Sequence, residues 1–180
     1  MVEDKFYFER EEFSDQESEF SFPFDEELIE EILNYKKSGK VLDLGCGEGG
    51  ISLALAEKGF EVTSVDISDT AIKAIKDEAE KRDIQINAIC ADLDNYKIEE
   101  NYDLIICMGT LHFVEEFKEL VKAVKEHTNE QGINVLDVLT GKEFFNEGEI
   151  KKIYSDWRVE DYESHKEDFG IMNYLLAVKN

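Results

Sequence analysis

Basic side chains are scarce in this chain: 20 lysines and arginines stand against 43 aspartates and glutamates, a formal net charge of −23 over 180 residues. A surface of that sign repels phosphate backbones and anionic lipid headgroups, which argues against a nucleic-acid partner and against a membrane surface. Long apolar runs are missing too, and none approaches the roughly 20 residues that a bilayer span requires. Cysteine is confined to Cys46, Cys90 and Cys107, with no C-x-x-C pair. No basic head followed by an apolar stretch precedes the first acidic residues, so the expectation is a cytoplasmic protein in a reducing compartment.

The length suits one domain with its own core and is too short for a full cofactor domain plus a separate substrate domain. Acidity is concentrated at one end. Residues 1–31 carry 13 carboxylates against Lys5 and Arg10, together with Phe6, Tyr7, Phe8, Phe13, Phe20, Phe22 and Phe24. Charge of that density favours a solvated arm. The aromatic load favours a segment packed over the remaining domain, residues 32–180, and that is the reading adopted here.

From Lys40 onward, short apolar runs alternate with amphipathic ones. Strands are predicted at residues 40–44, 61–66, 84–90, 102–108 and 132–139, with helices at 49–58, 68–82 and 114–127. Runs unbroken in Val, Ile and Leu belong to strands buried on both faces of a parallel sheet. After a short helix at 147–154, two further runs, 157–165 and 170–179, are joined by too few residues for a crossover and must pair antiparallel. The predicted fold is α/β: a doubly wound, mostly parallel, seven-stranded sheet with a C-terminal antiparallel hairpin.

In such a sheet ligands bind beyond the carboxyl ends of the strands, where strand order reverses. The stretch KVLDLGCGEGG, residues 40–50, supplies a glycine turn there. Gly45, Gly47 and Gly49 remove side chains, and the helix that follows aims free amides into the same space. A dinucleotide pyrophosphate fits the glycine spacing, but Asp43 two residues upstream opposes a phosphate pair and suits a ligand with ammonium and sulfonium groups. S-adenosylmethionine is such a ligand. Asp66, ending the next strand, suits ribose hydroxyls of either cofactor. Asp92 is placed to accept from an adenine amino group, with Ile67 and Leu93 as apolar walls; an exposed turn is its plainer reading. Too little chain remains for a nicotinamide enzyme's second substrate, which leaves the methyl donor as the preferred cofactor.

Asp43, Gly45, Cys46, Gly47, Gly49, Asp66 and Asp92, with the terminal hairpin, resemble the class I S-adenosylmethionine-dependent methyltransferases over about residues 40–140, with their Rossmann-like fold. The stretch 144–166, FFNEGEIKKIYSDWRVEDYESHK, is similar to the tellurite-resistance (TehB-like) methyltransferases, as is the Tyr7-Phe8 pair. The resemblance implies methyl transfer to a small molecule, a chalcogen oxyanion such as tellurite or selenite, or a thiol. It also implies that His165 and Lys166 orient or deprotonate the acceptor. Gly50, Lys166 and Ile171 stand where that family usually has arginine, and lysine lacks arginine's paired grip on an oxyanion.

His112, after the fourth predicted strand, is a further pocket candidate, or else a packing residue. Cys46 and Cys107 fall near the cofactor edge, where a small buried thiol is the commoner outcome. Tyr154 and Trp157 are read as core, and His127 as a helix cap. The loop after the fourth strand lacks the Asn/Asp-Pro-Pro-aromatic signature that resembles amino-methyltransferases. Residues 1–31 become the expected lid, with Tyr7, Phe8 and Phe13 facing inward. No metal is expected, and a monomer or homodimer is. The alternative function is a non-catalytic S-adenosylmethionine-binding domain, a sensor or complex subunit.

Overall fold

A computed structural model describes residues 24–141, 144–167 and 170–180. Most of the expected lid, residues 1–23 with Tyr7, Phe8 and Phe13, lies outside the described residues. Seven strands form one sheet: β1 (Lys40–Leu44), β2 (Glu61–Asp66), β3 (Asn87–Cys90), β4 (Tyr102–Cys107), β5 (Thr128–Thr140), β6 (Arg158–Glu167) and β7 (Gly170–Val178). Their order is β3-β2-β1-β4-β5-β7-β6. The first five run parallel, and β7 is antiparallel to β5 on one side and β6 on the other. This is the doubly wound sheet and terminal hairpin that the patterning predicts.

Burial follows from composition. β1 and β4 form the centre of the sheet, and their Leu42, Leu44, Leu104, Ile105 and Ile106 are all 0% exposed, covered on both faces. One face packs against α1 (Phe24–Tyr35), α2 (Gly50–Glu57) and α3 (Asp69–Arg82) through Leu28, Ile32, Leu55 and Ile75. The opposite face packs against α4 (Phe117–Glu126) and α5 (Glu149–Ile153) through Val121, Val124 and Ile150. Truncating one such side chain to alanine costs about 2–5 kcal/mol.

Local signals set several boundaries. Ser68 caps α3, its hydroxyl accepting from the Ala71 amide at 3.2 Å, while Asp69 and the Lys81-Arg82 pair sit where the helix dipole favours them. His127 is the residue that ends α4, and its Nδ1 lies 3.1 Å from the Glu100 carbonyl. Tyr154 is fully buried and Trp157 nearly so, their rings edge to face, which makes both core residues as predicted.

The differences also have causes. The strand expected from residue 84 is paired only from Asn87, at the sheet edge. β5 begins four residues earlier than expected, at Thr128, by using a register shift against β4. α4 starts at Phe117 because a 3₁₀ turn, Leu111–Phe113, takes up the chain after β4. Helix α1 straddles the boundary expected at residue 31 and buries Leu28, Ile29 and Ile32 against the sheet. Among the described residues, no helix is long and apolar enough to cross a membrane.

Candidate functional site

The sheet reverses between β1 and β4, and the glycine turn lies at their carboxyl ends. The amides of Gly45 and Cys46 both donate to the Val65 carbonyl, at 2.8 and 3.1 Å, which pins the start of the turn to β2. The glycines have different tasks. A Cβ on Gly45 would lie 2.0 Å from Thr110 Oγ1, and one on Gly49 would lie 2.5 Å from Ile75 Cγ1, so both are demanded by packing. Gly47, at φ +53°, meets nothing within 4 Å, so only its left-handed backbone excludes a side chain and the space above it is open.

Asp66 is built into that turn. Its Oδ2 accepts from the Gly47 amide and its Oδ1 from the Ser68 amide, each at 2.8 Å. A carboxylate offers about four acceptor positions, so two backbone donors fix its orientation and leave capacity for a vicinal diol. Ile67, next along, is 58% exposed, an apolar wall at the rim.

Asp43 lies beneath the turn and not in the open space above it. It is only 3% exposed, and its Oδ2 accepts from Ser52 Oγ at 2.6 Å, with Ser64 Oγ a further 2.6 Å away. The carboxylate ties β1 to α2 and β2, and its charge reaches the site from beneath. Alternation along a strand is the reason: Asp43 shares its face with Val41, toward α2. Cys107 is fully buried, so its thiol presents nothing to a ligand; burial, then Asp43 and Asp137, push it well above its usual range. Cys46 is half-buried, and burial followed by the charges of Asp43 and Asp66 keeps it protonated. Neither is a nucleophile.

Asp92 and Leu93 are half-buried in the turn after β3. The Asp92 carboxylate accepts from the Asp94 amide at 3.0 Å and from Asn95 Nδ2 at 3.4 Å, an arrangement that holds the turn itself. A groove of about 590 Å³ opens beneath this β3–β4 connection, lined by Thr63, Ile89, Asp92, Tyr96 and Tyr102. It shares only Asp92 with the predicted set and lies to one side of the glycine turn. Among the described residues, no group of His, Cys, Asp and Glu has the arrangement of a metal site.

His112 lies in the 3₁₀ turn after β4, and burial holds its imidazole below the usual range, neutral at pH 7. His165 and Lys166 both lie on β6 and are exposed, but they diverge. His165 pairs with Met172 on the face that α1 covers, and Lys166 pairs with Ile171 on the other. His165 Nε2 lies 3.2 Å from Glu163 Oε2. One residue on the His165 face escaped the sequence reading: Asp137, in β5, is half-buried, and its carboxyl is pushed up to about 6 by burial, with the His165 charge opposing. A lone aspartate between Leu136 and Val138 in an apolar run was its only signal.

Comparison with known proteins agrees with this geometry. A family model described as "Tellurite resistance protein TehB" matches residues 6–173. A probable S-adenosyl-L-methionine-dependent methyltransferase TehB of Haemophilus influenzae is 36% identical over 146 residues, 72% of this chain and 51% of the relative. A ubiquinone biosynthesis O-methyltransferase of Rickettsia typhi is 31% identical over 117 residues, 63% of this chain and 48% of the relative. This chain therefore spans about half the length of the curated relatives it matches. Among solved structures, TehB from Haemophilus influenzae superposes with a TM-score of 0.76 at 28% identity, covering 86% of this chain and 62% of that one. Magnesium protoporphyrin IX methyltransferase from Synechocystis, solved with bound SAM, superposes at 0.70 and 21% identity, covering 95% and 89%, and shares the fold.

Proposed function

The chain belongs to the tellurite resistance protein TehB family, and from that premise we propose that it binds S-adenosylmethionine at the glycine turn and serves methyl transfer to a small molecule. The observation that carries this reading is the Asp66 carboxylate, oriented by the Gly47 and Ser68 amides beside the exposed Ile67. That arrangement suits a ribose with an adenine stacked alongside. Asp92 and Leu93 extend the adenine side. Asp43 adds negative charge beneath the turn, which favours a cationic ligand over a pyrophosphate.

When bound, S-adenosylmethionine supplies an electrophilic methyl group on a sulfonium. The chain's own part is positioning and exclusion of water, which in well-oriented systems contributes on the order of 7–11 kcal/mol. The protonated Cys46 thiol offers no competing nucleophile beside it. His112, neutral, and His165, on the α1 face, are the imidazoles available to orient an acceptor or accept its proton, with Lys166 at the opposite face. The acceptor class we put forward is a thiol or a chalcogen oxyanion.

Titration calorimetry with S-adenosylmethionine, S-adenosylhomocysteine and NAD tests the cofactor: the first two bind and NAD does not. Release of S-adenosylhomocysteine with thiols, selenite and tellurite tests the transfer. Folded protein that ignores S-adenosylmethionine at millimolar concentration overturns the proposal.

A further inference from the structure

Asp137 occupies a costly place. Ser64, Asp43, Ile106 and Val135 form one row across β2, β1, β4 and β5. Two residues further along each strand, toward the carboxyl edge and on the same face, come Asp66 on β2, Gly45 after β1 and Asp137 on β5. The row that holds the glycine turn and its carboxylate therefore ends at Asp137. The residues before it on that face, Ile133 and Val135, are fully buried and apolar. Among the described residues, no hydrogen bond reaches the Asp137 carboxylate. A half-buried carboxylate without a donor is destabilising, so its presence calls for a role beyond packing.

Its surroundings define that role. Tyr174 on β7 stands directly opposite, with its hydroxyl donating to Glu31 of α1 at 2.7 Å. Beyond it, Glu163 and His165 of β6 lie on the same face, with Asp161 further along, and Cys107 lies on the neighbouring β4. Carboxylates outnumber cations on this face, since Lys166 and Ile171 lie on the other. Such a face repels an oxyanion. It serves a neutral acceptor that must lose a proton.

We propose that Asp137 is the proton acceptor for the methyl acceptor, and that the acceptor is a neutral thiol rather than an oxyanion. The assignment rests on the methyl-transfer reading above. As the acceptor sulfur forms its bond to the methyl carbon, the bond from that carbon to the donor sulfur breaks, and its electron pair stays on the donor. Asp137 takes the S–H proton and later yields it to solvent, so charge and atoms balance. An oxyanion that attacks through a chalcogen lone pair needs no base at the attacking atom and so gains nothing from this residue. Burial, with the His165 charge opposing, sets the Asp137 carboxyl at about 6, low enough to be ionised at neutral pH and basic enough to accept.

The experiment compares wild type, Asp137→Asn and Asp137→Glu with alkyl thiols that are uncharged at neutral pH (2-mercaptoethanol, dithiothreitol), selenite and tellurite, reading S-adenosylhomocysteine release. Calorimetric affinity for S-adenosylmethionine is the control. Expected are turnover of thiols, a loss of roughly 100-fold or more in kcat for Asp137→Asn with cofactor affinity unchanged, and partial rescue in Asp137→Glu. The wild-type rate rises through about pH 6, and the asparagine variant loses that limb. Carboxyl NMR of isotope-labelled wild type, without any acceptor, is expected to show one aspartate titrating near that pH and absent from the variant. No thiol turnover, or an asparagine variant as fast as wild type, overturns the assignment while cofactor binding stands. Failure to bind the cofactor overturns the methyl-transfer reading itself.

Discussion

The Asp137 carboxyl holds its proton up to about pH 6 when folded, whereas an exposed aspartate releases it near 3.9. Between those values the folded chain binds the extra proton, so stability falls as pH rises through the window. Asp137→Asn is therefore expected to exceed wild type by on the order of 2 kcal/mol at pH 8 and to match it below about pH 4, measured by urea unfolding at both. The glycines permit a second contrast. Gly49→Ala drives a methyl into Ile75 and is expected to cost about 2 kcal/mol or more of stability. Gly47→Ala meets open space and pays only its left-handed backbone, about 1–2 kcal/mol. It is expected to stay folded with weakened S-adenosylmethionine binding, as thermal melts and calorimetry would show. Residue types at this turn were legible from spacing. The direction of Asp43 was not, because it depends on Ser52 and Ser64, which only the packed α2 and β2 bring beside it.

Among the elements, the terminal hairpin is fastened by one buried amide. Asn173 on β7 donates to the Val138 carbonyl and Thr140 Oγ1, and its Oδ1 accepts from Tyr162 and Ser164 on β6. Replacing it with leucine leaves the buried Val138 carbonyl and Thr140 hydroxyl without this donor, with an expected loss of about 1–3 kcal/mol and a fall in Tm. β2 and β7 could be read from sequence because their apolar runs are bounded by polar turns, and the short link from β6 to β7 forces that pair antiparallel. Helix α1 could not: five of its twelve residues are acidic, and the stripe of Leu28, Ile29 and Ile32 is lost in that charge. His165 and Lys166, adjacent in sequence, part company because a strand sends neighbours to opposite faces, and only the pairing with Met172 and Ile171 fixes which goes where.

For the whole molecule, a net charge of −23 makes the folded chain repel itself. Its described ion pairs are largely exposed, as in Lys81 with Glu78 and Lys122 with Glu119, and contribute little individually. Raising sodium chloride from about 20 mM to 500 mM screens the repulsion and is expected to raise Tm by a few degrees, on the order of 1–2 kcal/mol. Calorimetric scans across that range would check it, and a falling Tm would count against self-repulsion as the governing term.

The strand order imposes a schedule on a growing chain. β7 follows β6 in sequence yet separates it from β5, so β6 has no seat in the sheet until the ribosome has delivered β7. The five parallel strands are able to assemble during synthesis, while the edge carrying His165 joins them last. A nascent chain thus completes its glycine turn, and Asp137 on β5, before the strand that carries His165.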